Sequence, residues 1–140
     1  MTAVVDASVA LKWYLDESDA ALADVVLERS EAVIAPELIV AEVANAAWKA
    51  CRKGEITAAQ QAWIAEDITT VLDRIEALRP LAVRASAIAR TIDHPVYDCF
   101  YVALSEARNA SLITADGRLL AKVQGTPFAA HTMHLKDFTA

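Results

Sequence analysis

Two stretches of this chain share one grammar. Ala3-Val4-Val5 is a short apolar run closed by Asp6, and Leu112-Ile113-Thr114 is another that reaches Asp116 through Ala115; each passes straight into helical sequence. An apolar run without polar alternation is the pattern of a strand buried on both faces, which is how parallel sheets are built. Parallel strands need a long crossover between them, usually a helix, so these two runs constrain most of what lies between. An acid closing such a strand stands at its carboxyl end, where open α/β sheets hold ligands. With both strands parallel in one sheet, Asp6 and Asp116 emerge on the same side.

The intervening sequence fits that scheme. Ser8 to Leu15 and Ala20 to Arg29 read as helices separated by the polar turn Asp16-Glu17-Ser18-Asp19, and Ala32 to Ala35 as a second buried strand. Pro36 is expected in the first turn of a helix whose apolar positions Ile39, Val43, Ala46 and Ala50 recur at helical spacing up to Gly54. Thr57 caps a further helix to about Val71, and Arg74 to Arg79 is an ambiguous segment that fits a third strand. Leu81 to Ile92 and Pro95 to Arg108 are helices, Ser111 to Thr114 a strand, Gly117 to Val123 a helix and Thr132 to Leu135 a last strand. This alternation predicts an α/β fold, a mostly parallel sheet covered on both faces, in one domain over residues 1–140.

Composition narrows the function classes. A net charge of −6 argues against a broadly basic surface, so any grip on nucleic acid must be local. Charges interrupt every apolar run before the roughly 18 residues that a membrane span needs. The start Met1-Thr2-Ala3 shows no basic leader, and the expected compartment is the cytoplasm. Cys51 and Cys99 lie in separate helical patterns and read as reduced thiols. The chain has 3 glycines and no phosphate-cradling loop. With 56% hydrophobic residues and three helix-borne tryptophans, Trp13, Trp48 and Trp63, it carries more apolar surface than a small core hides, which predicts a homodimer.

The chemistry rests on a set of acids. Glu42 falls about 60° off the buried stripe of its helix on a 100° wheel, on the shoulder of the core. Asp98, three residues after Pro95, occupies the first turn of its helix, and Asp116 and Asp6 each precede one. Singly, each has a structural excuse, a cap or a boundary carboxylate. Together in one crevice they repel by several kcal/mol per pair at about 4 Å, so such a cluster holds protons or a cation. An all-oxygen set with no nearby His or Cys suits Mg²⁺ or Mn²⁺, which can activate water and stabilise charge on a phosphodiester. Ser8 and Thr114, each two residues from an acid, are supporting hydroxyls.

Val5-Asp6-Ala7-Ser8-Val9-Ala10-Leu11-Lys12-Trp13, Pro36 through Asn45, Pro95 through Leu104 and Leu112 through Asp116 resemble the successive motifs of PIN-domain ribonucleases of the VapC toxin type. The resemblance implies a three-layer α/β/α sandwich, Mg²⁺- or Mn²⁺-dependent endonucleolytic cleavage of RNA, and neutralisation by a small VapB-type antitoxin. Position by position, it places Asp6, Glu42, Asp98 and Asp116 on the family's catalytic and metal-binding acids. Some members carry another acid shortly after the last of these; here Gly117, Arg118 and Leu119 follow.

Other readings are weaker. His131 and His134, three apart in a strand, face opposite sides and do not form a joint ligand pair. The tryptophans suit core or interface packing better than base stacking, and Lys12, Lys49, Arg52 and Lys53 suit solvated helix faces. A receiver-like signalling domain would pair acids after the first strand, yet Asp6 has no acidic neighbour before Asp16. An Asp-nucleophile phosphatase would want an acid where Ser8 stands. A catalytically silent PIN-like binding module fits poorly with four acids present.

Overall fold

The computed structural model describes residues 1–139. Five strands, β1 (Thr2–Val5), β2 (Ala32–Pro36), β3 (Arg74–Glu76), β4 (Ser111–Thr114) and β5 (Thr132–His134), form one sheet in the order β3-β2-β1-β4-β5. Every neighbouring pair is parallel, with Val4 opposite Ile34 on one side and Leu112 on the other. Ala3, Val4 and Val5 are completely buried, as are Ile34, Leu112 and Ile113. Each such side chain contributes about 1.5–3 kcal/mol of burial, so the middle of the sheet is the rigid base of the molecule.

The helices are α1 (Ala7–Ala10), α2 (Ala20–Arg29), α3 (Leu38–Arg52), α4 (Ala58–Val71), α5 (Ala82–Ile92), α6 (Val96–Arg108) and α7 (Gly117–Val123). The chain steps from β1 outward to β2 and β3, then returns across to β4 and β5. With right-handed crossovers, the outward steps put α1–α4 on one face and the return puts α5–α7 on the other. The packing agrees, α3 lying against α4 and α1, and α5 against α6. The expected α/β fold with a helix-covered parallel sheet is therefore the observed one. Because β1 connects to β2 while β4 lies on its other flank, the carboxyl ends of β1 and β4 border the point where the winding reverses, which is where such sheets open a crevice.

Several local expectations need correction. Pro36 is the last residue of β2, not a helical residue. It is tolerated there because the β1 ladder against β2 has ended at Ile34, so its missing N–H leaves no bond unmade, and Glu37 N–H continues the edge to Glu76 O at 2.8 Å. The buried stripe of α3 runs through Ala47 and not Ala46. The first helix is only α1, tightened at Leu11–Trp13 into a 3₁₀ turn, and β5 stops at His134 after a 3₁₀ segment, Pro127–His131. Thr57 does cap α4, in a capping box with Gln60. Trp13 is packed, its Nε1 donating to Ala23 O at 3.0 Å, but Trp48 and Trp63 are 45% and 57% exposed and do not belong to the core. Cys99 is buried, Cys51 half-buried, and both are free thiols.

Candidate active site

The turn from β1 into α1 needs an acceptor for the unpaired N–H groups of the helix start, and Asp6 supplies it. Its Oδ1 accepts from Val9 N–H at 3.2 Å and from the Ser8 hydroxyl at 2.5 Å, and its other oxygen accepts from the Thr114 hydroxyl. The same two hydroxyls also accept: Ser8 Oγ takes Ala115 N–H at 2.9 Å and Thr114 Oγ1 takes Asp116 N–H at 3.0 Å. Asp6 is thereby stitched to the end of β4. It is only 5% exposed, and burial pushes its pKa up to about 6 despite these donors, with the charge of Asp98 adding to the effect.

Glu42 projects from the second turn of α3 and accepts at Oε1 from the Tyr101 hydroxyl at 2.5 Å. Burial, then Asp98, raises its pKa. The Tyr101 phenol, 1% exposed, is pushed far above its ordinary range by burial and by the Glu42 charge, so it stays a donor. Asp98 lies in the first turn of α6. Asp116 caps α7 through Oδ1, which accepts from Arg118 N–H at 2.9 Å and Leu119 N–H at 3.4 Å. That leaves its Oδ2 without a partner among the described residues.

These four acids converge. Asp6, Glu42, Asp98 and Asp116, with Ser8 and Tyr101, border one crevice of about 270 Å³. Neither Lys nor Arg is among the described residues that line it. Carboxylates drawn together without a balancing cation raise one another's pKa or bind metal; burial is the main cause of the upward shifts at Asp6 and Glu42, and the charge of Asp98 adds to both.

Two residues of the site were not expected, Tyr101 on the Glu42 carboxylate and a histidine. His94 sits in the turn before α6, its side chain 8% exposed, with Nε2 2.6 Å from Asp98 Oδ2. His94, Asp98 and Asp116 present ligand atoms all within 4.8 Å of one another. The reading of an all-oxygen set with no histidine nearby is thus overturned. The available signal was its position four residues before Asp98, but Asp93-His94-Pro95 reads as a plain helix boundary. The left-handed Asp93, φ 52°, turns the chain so that His94 folds back over the first turn. His131 and His134 lie elsewhere, His134 Nδ1 accepting from Lys136 N–H at 2.9 Å.

Thr114 tests the stitch between the two strand ends. Thr114→Val keeps shape but orphans an Asp6 oxygen and the Asp116 N–H. Urea unfolding at pH 7.5 without metal should show a loss of about 2–4 kcal/mol, since bonds to charged acceptors are worth about 1.5–3 kcal/mol and the stranded groups are costly. A loss below about 0.5 kcal/mol would mean water replaces the hydroxyl.

Several α/β classes place acids at the reversal point of a parallel sheet, and sequence comparison assigns this chain to one of them: the PIN domain family model matches residues 3–125, and the chain belongs to that family. The chain is 29% identical to Ribonuclease VapC3 of Pyrobaculum aerophilum over 124 residues, covering 87% of this chain and 95% of that one. The crystal structure of PAE2754 from Pyrobaculum aerophilum superposes with a TM-score of 0.71 at 23% identity, over 97% of this chain and 85% of that one. A toxin–antitoxin complex from Klebsiella pneumoniae gives a TM-score of 0.70 at 16% identity, over 95% and 97% of the two chains.

Proposed function

We propose that this chain is a divalent-metal-dependent endoribonuclease acting as the toxin of a VapBC-type toxin–antitoxin pair. The observation that carries the reading is the crevice of four carboxylates, at the reversal point of the sheet, with no Lys or Arg in its described lining. The ribonuclease name of the Pyrobaculum relative supports RNA as substrate, and the Klebsiella complex supports an antitoxin partner. The family match leaves no reason for a receiver-like domain, and a silent binding module would not need four converging acids.

The donors fit a hard divalent cation. Asp6, Glu42, Asp98 and Asp116 offer carboxylate oxygens, and Asp116 Oδ2 is free of protein partners among the described residues. His94, with its Nε2 on Asp98, would steady that carboxylate beside the ion. When bound, the ion acidifies water and stabilises charge on the phosphodiester. The protein's part is orientation: Ser8, Thr114 and Val9 N–H hold Asp6, Tyr101 aims Glu42, and His94 holds Asp98. Such supporting bonds are commonly worth about 10–100-fold in metal affinity.

The test is cleavage of a fluorescent single-stranded RNA with Mn²⁺, with Mg²⁺ and with EDTA. Cleavage should need one of the two metals and stop in EDTA. Equal cleavage in EDTA would overturn the metal mechanism. The chain also acts as a homodimer, supported by exposed Trp48, Trp63 and Tyr97; a monomer in light scattering at micromolar concentration would refute it. No described helix is long and apolar enough to cross a membrane.

A further inference from the structure

The acidic crevice is continuous with a second groove. Asp98 and Asp116 line both, and the second, about 460 Å³, extends along α7 past Pro95 and Ala121 to Arg118 and Lys122. Its α7 wall therefore brings two cations, with Asp93 across from Lys122, to a groove that begins on two acids. Arg118 is exposed and has no ion-pair partner among the described residues. Lys122 is only loosely paired, its Nζ 3.9 Å from an Asp93 carboxylate that is itself fully exposed, a contact worth little in water. The two cations are four residues apart on α7 and so lie on one face, with Cβ atoms about 5–6 Å apart, comparable to the step between successive phosphates of an extended strand.

Cations without carboxylate partners carry weight in a chain of net charge −6. The surface at large repels a polyanion, so a strand entering the crevice is guided by local positive charge. Three other basic side chains are spent on the protein itself: Lys12 donates to Ser18 O at 2.8 Å, Arg84 pairs with Glu106 at 2.6 Å, and Arg108 holds Glu76 through two nitrogens; neither crevice nor groove is lined by any Lys or Arg besides Arg118 and Lys122 among the described residues. At the crevice's other margin stand Ala7 and Leu11, which offer a phosphate nothing.

We propose that the α7 groove is the track of the substrate strand, with Arg118 and Lys122 binding the two phosphates that follow the scissile one as the strand leaves the crevice. This rests on the nuclease reading and adds a length requirement: full efficiency needs single-stranded RNA extending two phosphates beyond the cut. Arg118 gives planar two-toothed recognition and Lys122 a mobile point charge, so the track selects backbone and not base.

The experiment compares wild type, R118A/K122A and the charge-keeping R118K/K122R on a ten-nucleotide RNA and on a dinucleotide, whose one phosphate is the scissile one. With the long substrate and Mn²⁺, kcat/KM of R118A/K122A should fall about tenfold, through KM, and R118K/K122R should recover most of it. With the dinucleotide all three should be equal. In a D6N background that keeps RNA intact, fluorescence anisotropy should give a log–log salt slope smaller by about 1.4 for R118A/K122A, two contacts at about 0.7 each on single strands. Equal kcat/KM of wild type and R118A/K122A on the long RNA, or equal losses on both substrates, would overturn the track while wild-type cleavage leaves the nuclease reading standing. Wild type that cuts neither RNA refutes the nuclease reading, and the anisotropy arm then decides the track by itself: an unchanged salt slope overturns it.

Discussion

Asp98→Asn is expected to abolish RNA cleavage and at the same time make the metal-free protein more stable. The carboxylate of Asp98 is the charge that its neighbours share: it raises the pKa of Asp6, Glu42 and Tyr101, and of the Cys99 thiol, which burial chiefly lifts to about 11. Asparagine keeps the volume and can still accept from His94, but it removes that charge. The several kcal/mol of transition-state charge stabilisation that a metal centre provides corresponds to a loss of about 10³-fold or more in rate. Relief of repulsion should add on the order of 1 kcal/mol at pH 7.5 without metal. Gel cleavage assays and urea unfolding read the two effects. Loss of activity together with loss of stability would instead mark Asp98 as a structural helix-start acid, and full activity would remove it from the site.

Chelated protein should be more stable at pH 5 than at pH 7.5, and Mn²⁺ should reverse the order. The sign follows from Asp6, whose folded pKa of about 6 lies above its ordinary 3.8. Between those values the folded form keeps a proton that the unfolded chain has lost, so stability falls as pH rises through the window and stays low above it. The shift corresponds to a penalty on the order of 3 kcal/mol at neutral pH, and Glu42 acts in the same direction. Glu76 and Glu106, lowered by Arg108 and Arg84, act oppositely, but they lose their contribution only below the ordinary carboxylate range. At a hundredfold excess over its dissociation constant, a bound ion adds about 2.7 kcal/mol. At pH 7.5 that should raise Tm by about 8 °C, and at pH 5 protons compete and the rise should be much smaller. Thermal scans in EDTA and in Mn²⁺ at both pH values check this. Equal Mn²⁺ shifts at both would show that the ion binds away from the buried carboxylates.

What could be read from the sequence divides along physical lines. The buried strands were legible because β-branched and aliphatic runs such as Val4-Val5 and Leu112-Ile113 have few other uses. Asp6 and Asp116 were placed by where those runs stop. The meeting of Glu42 and Asp98 with them was inferred from charge and family resemblance, not from periodicity, since crossovers decide which helix starts face the same crevice. Alanine carries little periodic signal, so Ala46 and Ala47 could not be told apart. Pro36 obeyed a helix-start rule until the end of its ladder with β1 made a strand position equally permissive. His94 was hidden because its position depends on the left-handed backbone at Asp93, a residue whose sequence context announces only a boundary.

The place of β4 in the sheet has a consequence for the cell that makes this protein. Asp6 is synthesised 108 residues before Thr114, yet its second oxygen is held by that hydroxyl and its strand is flanked by β4. A nascent chain that has emerged through α6 has three of the four carboxylates, an unpaired edge on β1 and no Asp116. Because domains fold from the N-terminus as they emerge at about 5–20 residues per second, the crevice closes only once β4 and the start of α7 have followed. On the proposed nuclease reading, the growing chain therefore carries no complete site until β4 is in place. A frameshift or stop codon before Ser111 would leave the crevice without Asp116 and β1 without its β4 partner.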